Sequence, residues 1–146
     1  MEIFVRHGEN DFHKADSLGK RQADATGGYL AGFGFSLSDL RLFSSPRDRA
    51  QRTAEIIGQK IGHSRIEVVP WLDVDALEDE VLCGTADVPD HSVIILVTHE
   101  PVIQKAYIGN GQCINGLCNE RVINGSVHMW NERCRIIERV FEPRFV

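Results

Sequence analysis

Ile3-Phe4-Val5-Arg6-His7-Gly8-Glu9-Asn10 decides how the rest of the chain is read: an apolar run breaks off in a cation, an imidazole and a glycine. A run of this kind predicts a buried strand that surfaces at one edge of an open α/β sheet. Ligands of such sheets bind beyond the carboxyl ends of the strands, which would turn Arg6 and His7 into a crevice. Gly8 would let the backbone turn sharply and approach a ligand closely. Taken alone, the stretch is better read as a strand that merely ends in two polar residues. How the other strands end makes the difference.

Downstream, residues 11–17 read as a loop and residues 18–30 as a helix, with Phe33 to Phe35 leading back to the sheet. Leu40 to Phe43 is a second short apolar strand, ending in Ser44-Ser45-Pro46-Arg47-Asp48-Arg49. There Ser45 suits an N-cap, Pro46 the first helical position and Asp48 a capping box. The helix that follows runs to about Ile61 and stops at Gly62. Arg49 falls in its first turn, where helix N–H groups already favour anions. A third strand is expected at residues 66–69 and a helix at 75–82. Residues 92–97 (Ser-Val-Ile-Ile-Leu-Val) are apolar enough for the centre of a sheet covered on both faces. They end in Thr98-His99-Glu100-Pro101, again with a proline at a helix start. Residues 102–108 read as a short helix, 109–125, with three Asn-Gly steps, as a loop, and 126–130 with 135–141 as a closing antiparallel hairpin.

This pattern predicts a three-layer α/β/α sandwich. Its central sheet is mostly parallel, with antiparallel pairing near the C-terminus, in one domain spanning residues 1–146. The 146 residues carry 16 Lys plus Arg against 21 Asp plus Glu, a formal charge of −5, which argues against a general nucleic-acid binder. No apolar run approaches the roughly 18 residues of a membrane span, and Glu2 stands where a signal peptide would carry positive charge. Cys83, Cys113, Cys118 and Cys134 form no C-x-x-C pair and have no zinc-finger spacing to histidine. They are expected to be free thiols in a reducing compartment, and the protein is expected to be cytoplasmic.

If the three strand ends are neighbours, Arg6, His7, Arg49 and His99 share one crevice. Packed arginines repel unless an anion lies between them, and the planar guanidinium fork suits phosphate. Two imidazoles would then supply the chemistry. These residues resemble the motifs of the histidine phosphatase (phosphoglycerate mutase-like) superfamily: Arg6-His7-Gly8, Ser45-Pro46-x-x-Arg49-Ala50-x-x-Thr53-Ala54 and Thr98-His99, with Gly19-x-x-Gln22-Ala23 in its first-helix pattern. The resemblance runs in order from residue 3 to about residue 101. It implies that His7 takes the phosphoryl group and passes it to water, while Arg6, Arg49, His99 and the backbone at Gly8 hold the phosphate. No metal and no other cofactor is implied, since the protein's cations neutralise the transferring oxygens. His7 must be neutral to attack, and the cations around it would keep its pKa low.

The proton donor is where the chain departs from that family. Many members carry a glutamate after the third strand, whereas residues 71–78 here read Trp-Leu-Asp-Val-Asp-Ala-Leu-Glu. Asp73 and Asp75 are the candidate acids, each weighed against a role as a solvated helix-start carboxylate. His13 stands where the family usually has asparagine. Short members that dephosphorylate phosphohistidine on proteins are similar in length and also lack a clear acid. The chain leaves little room for the capping insertions of the members that act on small molecules. A phosphorylated protein is therefore the expected partner and substrate. The alternatives are a small phosphorylated metabolite, with Asp73, Asp75 or Glu78 as the acid, and a non-catalytic phosphate-binding domain. His63, His91 and His128 read as ordinary histidines, Arg47 and Arg52 as a solvated helix face, and Trp71 and Trp130 as packing groups. Neither the oligomeric state nor the role of segment 109–125 follows from the sequence.

Overall fold

Val93–Thr98 (β4) is the axis of the sheet, as its unbroken apolar sequence predicts. It pairs in parallel with Glu2–Arg6 (β1) on one side and Leu40–Ser44 (β2) on the other. The computed structural model describes residues 1–114, 117–118 and 121–145. Between the first two strands lies the helix Leu18–Ala31 (α1), and after β2 the helix Asp48–Ile61 (α2) leads to Ile66–Val68 (β3). Glu78–Thr85 (α3) precedes β4, and Glu100–Gly109 (α4) follows it. Cys113–Ile114 (β5) and Leu117–Cys118 (β6) pair with each other, and Val127–Asn131 (β7) with Ile136–Phe141 (β8) closes the sheet. The six-stranded order is β3-β2-β4-β1-β7-β8, parallel through β1 and antiparallel across β7 and β8.

Alternation along the strands assigns each face. Ile3, Val5, Leu42, Ile95 and Val97 point to one side, where they pack with Leu30 of α1 and Ala50, Ala54 and Ile57 of α2. Phe4, Phe43, Ile94 and Leu96 point to the other, against Leu72, Val81, Val102, Ile103 and Tyr107. Both faces are covered, so the sandwich has three layers. Each fully buried Leu or Ile contributes about 1.5–3 kcal/mol, and most of these side chains have no exposure at all.

Four local expectations differ from the structure. Helix α2 begins at Asp48 with Arg47 as its N-cap and no side-chain cap bond there; Ser45 lies ahead of it, its Oγ accepting the Arg47 N–H at 3.3 Å and facing His99 Nε2 at 2.7 Å. The helix expected at residues 75–82 begins at Glu78: a 3-10 turn at Pro70–Leu72 and a turn closed by Ala76 N–H on the Asp73 carbonyl (2.9 Å) occupy the preceding chain. Segment 109–125 is not all loop, since it holds the β5–β6 ladder; its Asn-Gly step at 115–116 lies outside the described residues. Finally, Cys83 and Cys134 are free and exposed, but Cys113 is disulfide-bonded. Cys113 stands opposite Cys118 in the β5–β6 register, and cross-strand proximity of this kind obeys no fixed sequence interval. No helix among the described residues is long and apolar enough to cross a membrane.

Candidate active site

Parallel register puts the three polar strand ends side by side. Arg6 is opposite Thr98, and Ser44 is opposite Val97. One residue further on, the amides of His7 and Ser45 still bond β4, to the carbonyls of Thr98 (3.1 Å) and Val97 (3.0 Å). His7, Ser45 and His99 therefore leave the sheet together, and the rings of His7 and His99 lie 5.0 Å apart at 64°. Arg49 reaches them from the first turn of α2, its Nε 3.2 Å from His7 Nε2. The sequence thus brings Arg6, His7, Arg49 and His99 into one cluster.

The hydrogen bonds assign the tautomer of His7. Nδ1 lies 2.7 Å from the carbonyl of Gly8, which can only accept, so Nδ1 carries the proton. Nε2, facing the Arg49 N–H, is then the acceptor with the available lone pair. Burial lowers the pKa of His7 to about 4, opposed by the Gly8 bond and reinforced by His99, Arg49 and Arg6 in that order. The cations do depress it, as the sequence suggests, but loss of hydration is the larger cause. His99 is likewise lowered to about 4, first by burial and then by Arg49, with Asp73 opposing. Both imidazoles are neutral at pH 7.

Much of the support comes from residues with no local signal. Arg6 Nη1 donates to the carbonyl of Val122 (2.8 Å) and lies 3.2 Å from Glu100 Oε2. Asn124 Nδ2 donates to the His7 carbonyl at 3.3 Å. The Gly125 N–H is shared between the carbonyls of Arg6 (3.0 Å) and His7 (3.3 Å), at a φ of 76° that favours glycine. Part of the segment read as a rim loop thus holds the end of β1 in place. Thr53 Oγ1 accepts from the Gly8 N–H (3.0 Å) and donates to the Arg49 carbonyl (2.8 Å), coupling the His7 turn to the arginine. Gly8 itself admits no side chain, because a Cβ there would meet the Gly19 carbonyl oxygen at 2.5 Å. The Gly19-x-x-Gln22 pattern has a related use: Gln22 Oε1 accepts from the Glu9 N–H at 2.8 Å.

Asp73 lies beside this cluster and Asp75 is exposed. Arg47, read from the sequence as part of a solvated face, donates its Nε to Asp73 Oδ1 at 2.8 Å, and that oxygen also accepts from the Val74 N–H. The Arg47 bond, then the Val74 bond, hold the Asp73 carboxyl below the usual carboxylate range. Its charge is felt at His99. In this state Asp73 is an ionised partner of Arg47. Among the described residues no group of three or more His, Cys, Asp or Glu is placed to hold a metal ion.

Two buried side-chain nitrogens lack a hydrogen-bond partner among the described residues, Arg6 Nε and His99 Nδ1. Unpaired buried polar groups cost about 1–3 kcal/mol each; Arg6 Nε–H calls for an acceptor, and so does His99 Nδ1 when it carries the ring proton. An oxyanion would satisfy both.

The model of the histidine phosphatase superfamily (branch 1) matches residues 3–75. Among solved structures, the protein histidine phosphatase SixA complexed with tungstate superposes with a TM-score of 0.69 at 18% identity, over 97% of this chain and 94% of that one. A mycobacterial glucosyl-3-phosphoglycerate phosphatase complexed with VO3 gives 0.60 at 17% identity, over 97% and 98%. Phosphoglycerate mutase from Plasmodium falciparum gives 0.62 at 18%, over 99% and 88%. At these identities the likeness is one of fold. Comparison with curated protein sequences finds no match.

Proposed function

This chain belongs to the histidine phosphatase superfamily (branch 1), and on that footing we propose that it hydrolyses phosphorylated substrates through a phosphohistidine on His7. Its favoured substrate is phosphohistidine in a protein. The observation that carries this reading is the pair of orphaned buried nitrogens, Arg6 Nε and His99 Nδ1, beside a neutral imidazole whose unprotonated Nε2 faces the Arg49 Nε–H.

The His7 Nε2 lone pair attacks phosphorus, and the bond to the leaving group breaks with its electron pair staying on that group. Arg6 and Arg49 neutralise the three equatorial oxygens and, with His99, position them, which is most of what phosphoryl transfer asks of a protein. Water then attacks the phosphoryl group. The P–N bond breaks, its electron pair returns to Nε2, and the water proton leaves with phosphate or solvent. The Nδ1–H bond to Gly8 holds the ring in one orientation through both steps.

The substrate preference is supported by Asp73. Arg47 holds that carboxyl ionised, so it is a poor proton donor for an alkoxide leaving group. A phosphohistidine protonated on its second ring nitrogen departs as neutral imidazole and needs no donor. The similar structures include a protein histidine phosphatase and an enzyme named for a small phosphorylated metabolite, so both classes belong in the test. Purified protein is assayed on a phosphohistidine-bearing protein and on a panel of small phosphate esters, alongside His7→Ala. Phosphohistidine protein should turn over best, and His7→Ala should abolish hydrolysis of every substrate. Turnover of small esters alone would overturn the substrate assignment, and wild-type rates in His7→Ala would overturn the nucleophile.

A further inference from the structure

Ser45 has no exposure, and its hydroxyl lies 2.7 Å from His99 Nε2 although 54 residues separate them. The same oxygen accepts the Arg47 backbone N–H at 3.3 Å. A serine hydroxyl has one proton to give and lone pairs to receive with. If His99 Nε2 carried a hydrogen, Ser45 Oγ would accept from both neighbours, and its own O–H would have no acceptor in the bonds it makes among the described residues. If Nε2 is bare, every group is matched: Arg47 N–H gives to Ser45 Oγ, and Ser45 O–H gives to Nε2. Nδ1 then holds the proton, as the one ring nitrogen still unpaired and buried.

We propose that Ser45 is a positioning residue that holds His99 as its Nδ1–H tautomer, so that a neutral imidazole presents a donor, not a lone pair, to the transferring phosphoryl oxygen. The consequence for the oxyanion follows only if the cluster binds phosphate as proposed above; the tautomer itself does not depend on that reading. Electrostatics demand the choice. A bare Nδ1 would set a lone pair against phosphate oxygen, and protonating the whole ring to avoid this is opposed by burial and by Arg49. The same hydroxyl therefore serves both elements, accepting the Arg47 N–H just ahead of α2 and donating across the sheet edge to His99.

The test is long-range 1H–15N correlation on uniformly 15N-labelled protein, with the His99 signals identified by their loss in His99→Gln. Wild-type protein should show His99 with Nδ1 protonated and Nε2 bare. That pattern should survive in Ser45→Thr, which keeps the hydroxyl. In Ser45→Ala it should give way to a mixture or to the Nε2–H form, and kcat on p-nitrophenyl phosphate should fall roughly tenfold to hundredfold, below the full loss of an oxyanion donor. Protonated Nε2 in the wild type would overturn the proposal whether or not Ser45→Ala folds, and so would an unchanged tautomer in a folded Ser45→Ala. If wild-type protein hydrolyses nothing, the proposed function fails while the tautomer result still stands or falls alone.

Discussion

Replacing His128 with glutamine should flatten the dependence of stability on pH by about one proton. His128 has no exposure, and its two ring nitrogens face Tyr107 Oη (2.6 Å) and Ser126 Oγ (2.8 Å). Burial first, then Arg139, lowers its pKa to about 4, against ~6.5 in an unfolded chain. Above about pH 6.5 neither state is protonated there. Below that the unfolded chain binds a proton that the folded one refuses, so stability falls as pH falls, until the folded ring also charges near pH 4. The group then costs ~2 kcal/mol at pH 5, and near that pH it contributes a slope of ~1.2 kcal/mol per pH unit. His7 and His99 titrate with the same sign but are common to both proteins, so the difference between the two slopes isolates position 128. Urea unfolding from pH 8 to 4.5 measures it. Any loss of hydrogen bonding in His128→Gln shifts its line at every pH without changing the slope. Parallel lines would show that His128 titrates normally while folded, and the burial argument would be wrong.

Thr53→Val keeps the shape but leaves the Gly8 N–H and the Arg49 carbonyl without their shared partner, so it should cost about 1–3 kcal/mol in urea unfolding. It should also lower kcat/KM about a hundredfold by loosening the His7 turn from Arg49; an effect on stability alone would mean that the turn holds itself. Arg49→Lys keeps the charge and loses the planar fork. It should lower kcat/KM on p-nitrophenyl phosphate by roughly a hundredfold, and wild-type kinetics would show that charge alone suffices. Asp73→Asn should slow turnover of phosphohistidine protein by less than about tenfold, whereas a loss of 10²–10⁴ would make Asp73 the proton donor.

What the sequence discloses here, and what it hides, divides by distance along the chain. The strands, their polar ends and the cluster of Arg6, His7, Arg49 and His99 could be read because each signal is local and the parallel sheet aligns strand ends without further instruction. Ser45 is half legible for the same reason: its neighbours describe a helix start, where its Oγ accepts the Arg47 N–H, while its other partner is 54 residues away. Val122, Asn124 and Gly125 act on Arg6 and His7 through backbone carbonyls, which no residue type announces. The ionisation of Asp73 depended on Arg47, a side chain that periodicity alone consigns to solvent. Cys113 is disulfide-bonded where free thiols are expected, a state that no cysteine spacing rule announces.

The tether from Val122, Asn124 and Gly125 has a consequence during synthesis. A nascent polypeptide that has emerged only through His99 already owns every imidazole and guanidinium of the cluster, yet the carbonyls of Arg6 and His7 still lack the groups that bind them. Translation is vectorial, so such an unfinished chain would hold the phosphate-seeking cations on a slack support. Catalytic competence should arrive late, when β7 docks beside β1, so that stalled fragments stay inert toward the cell's phosphorylated molecules.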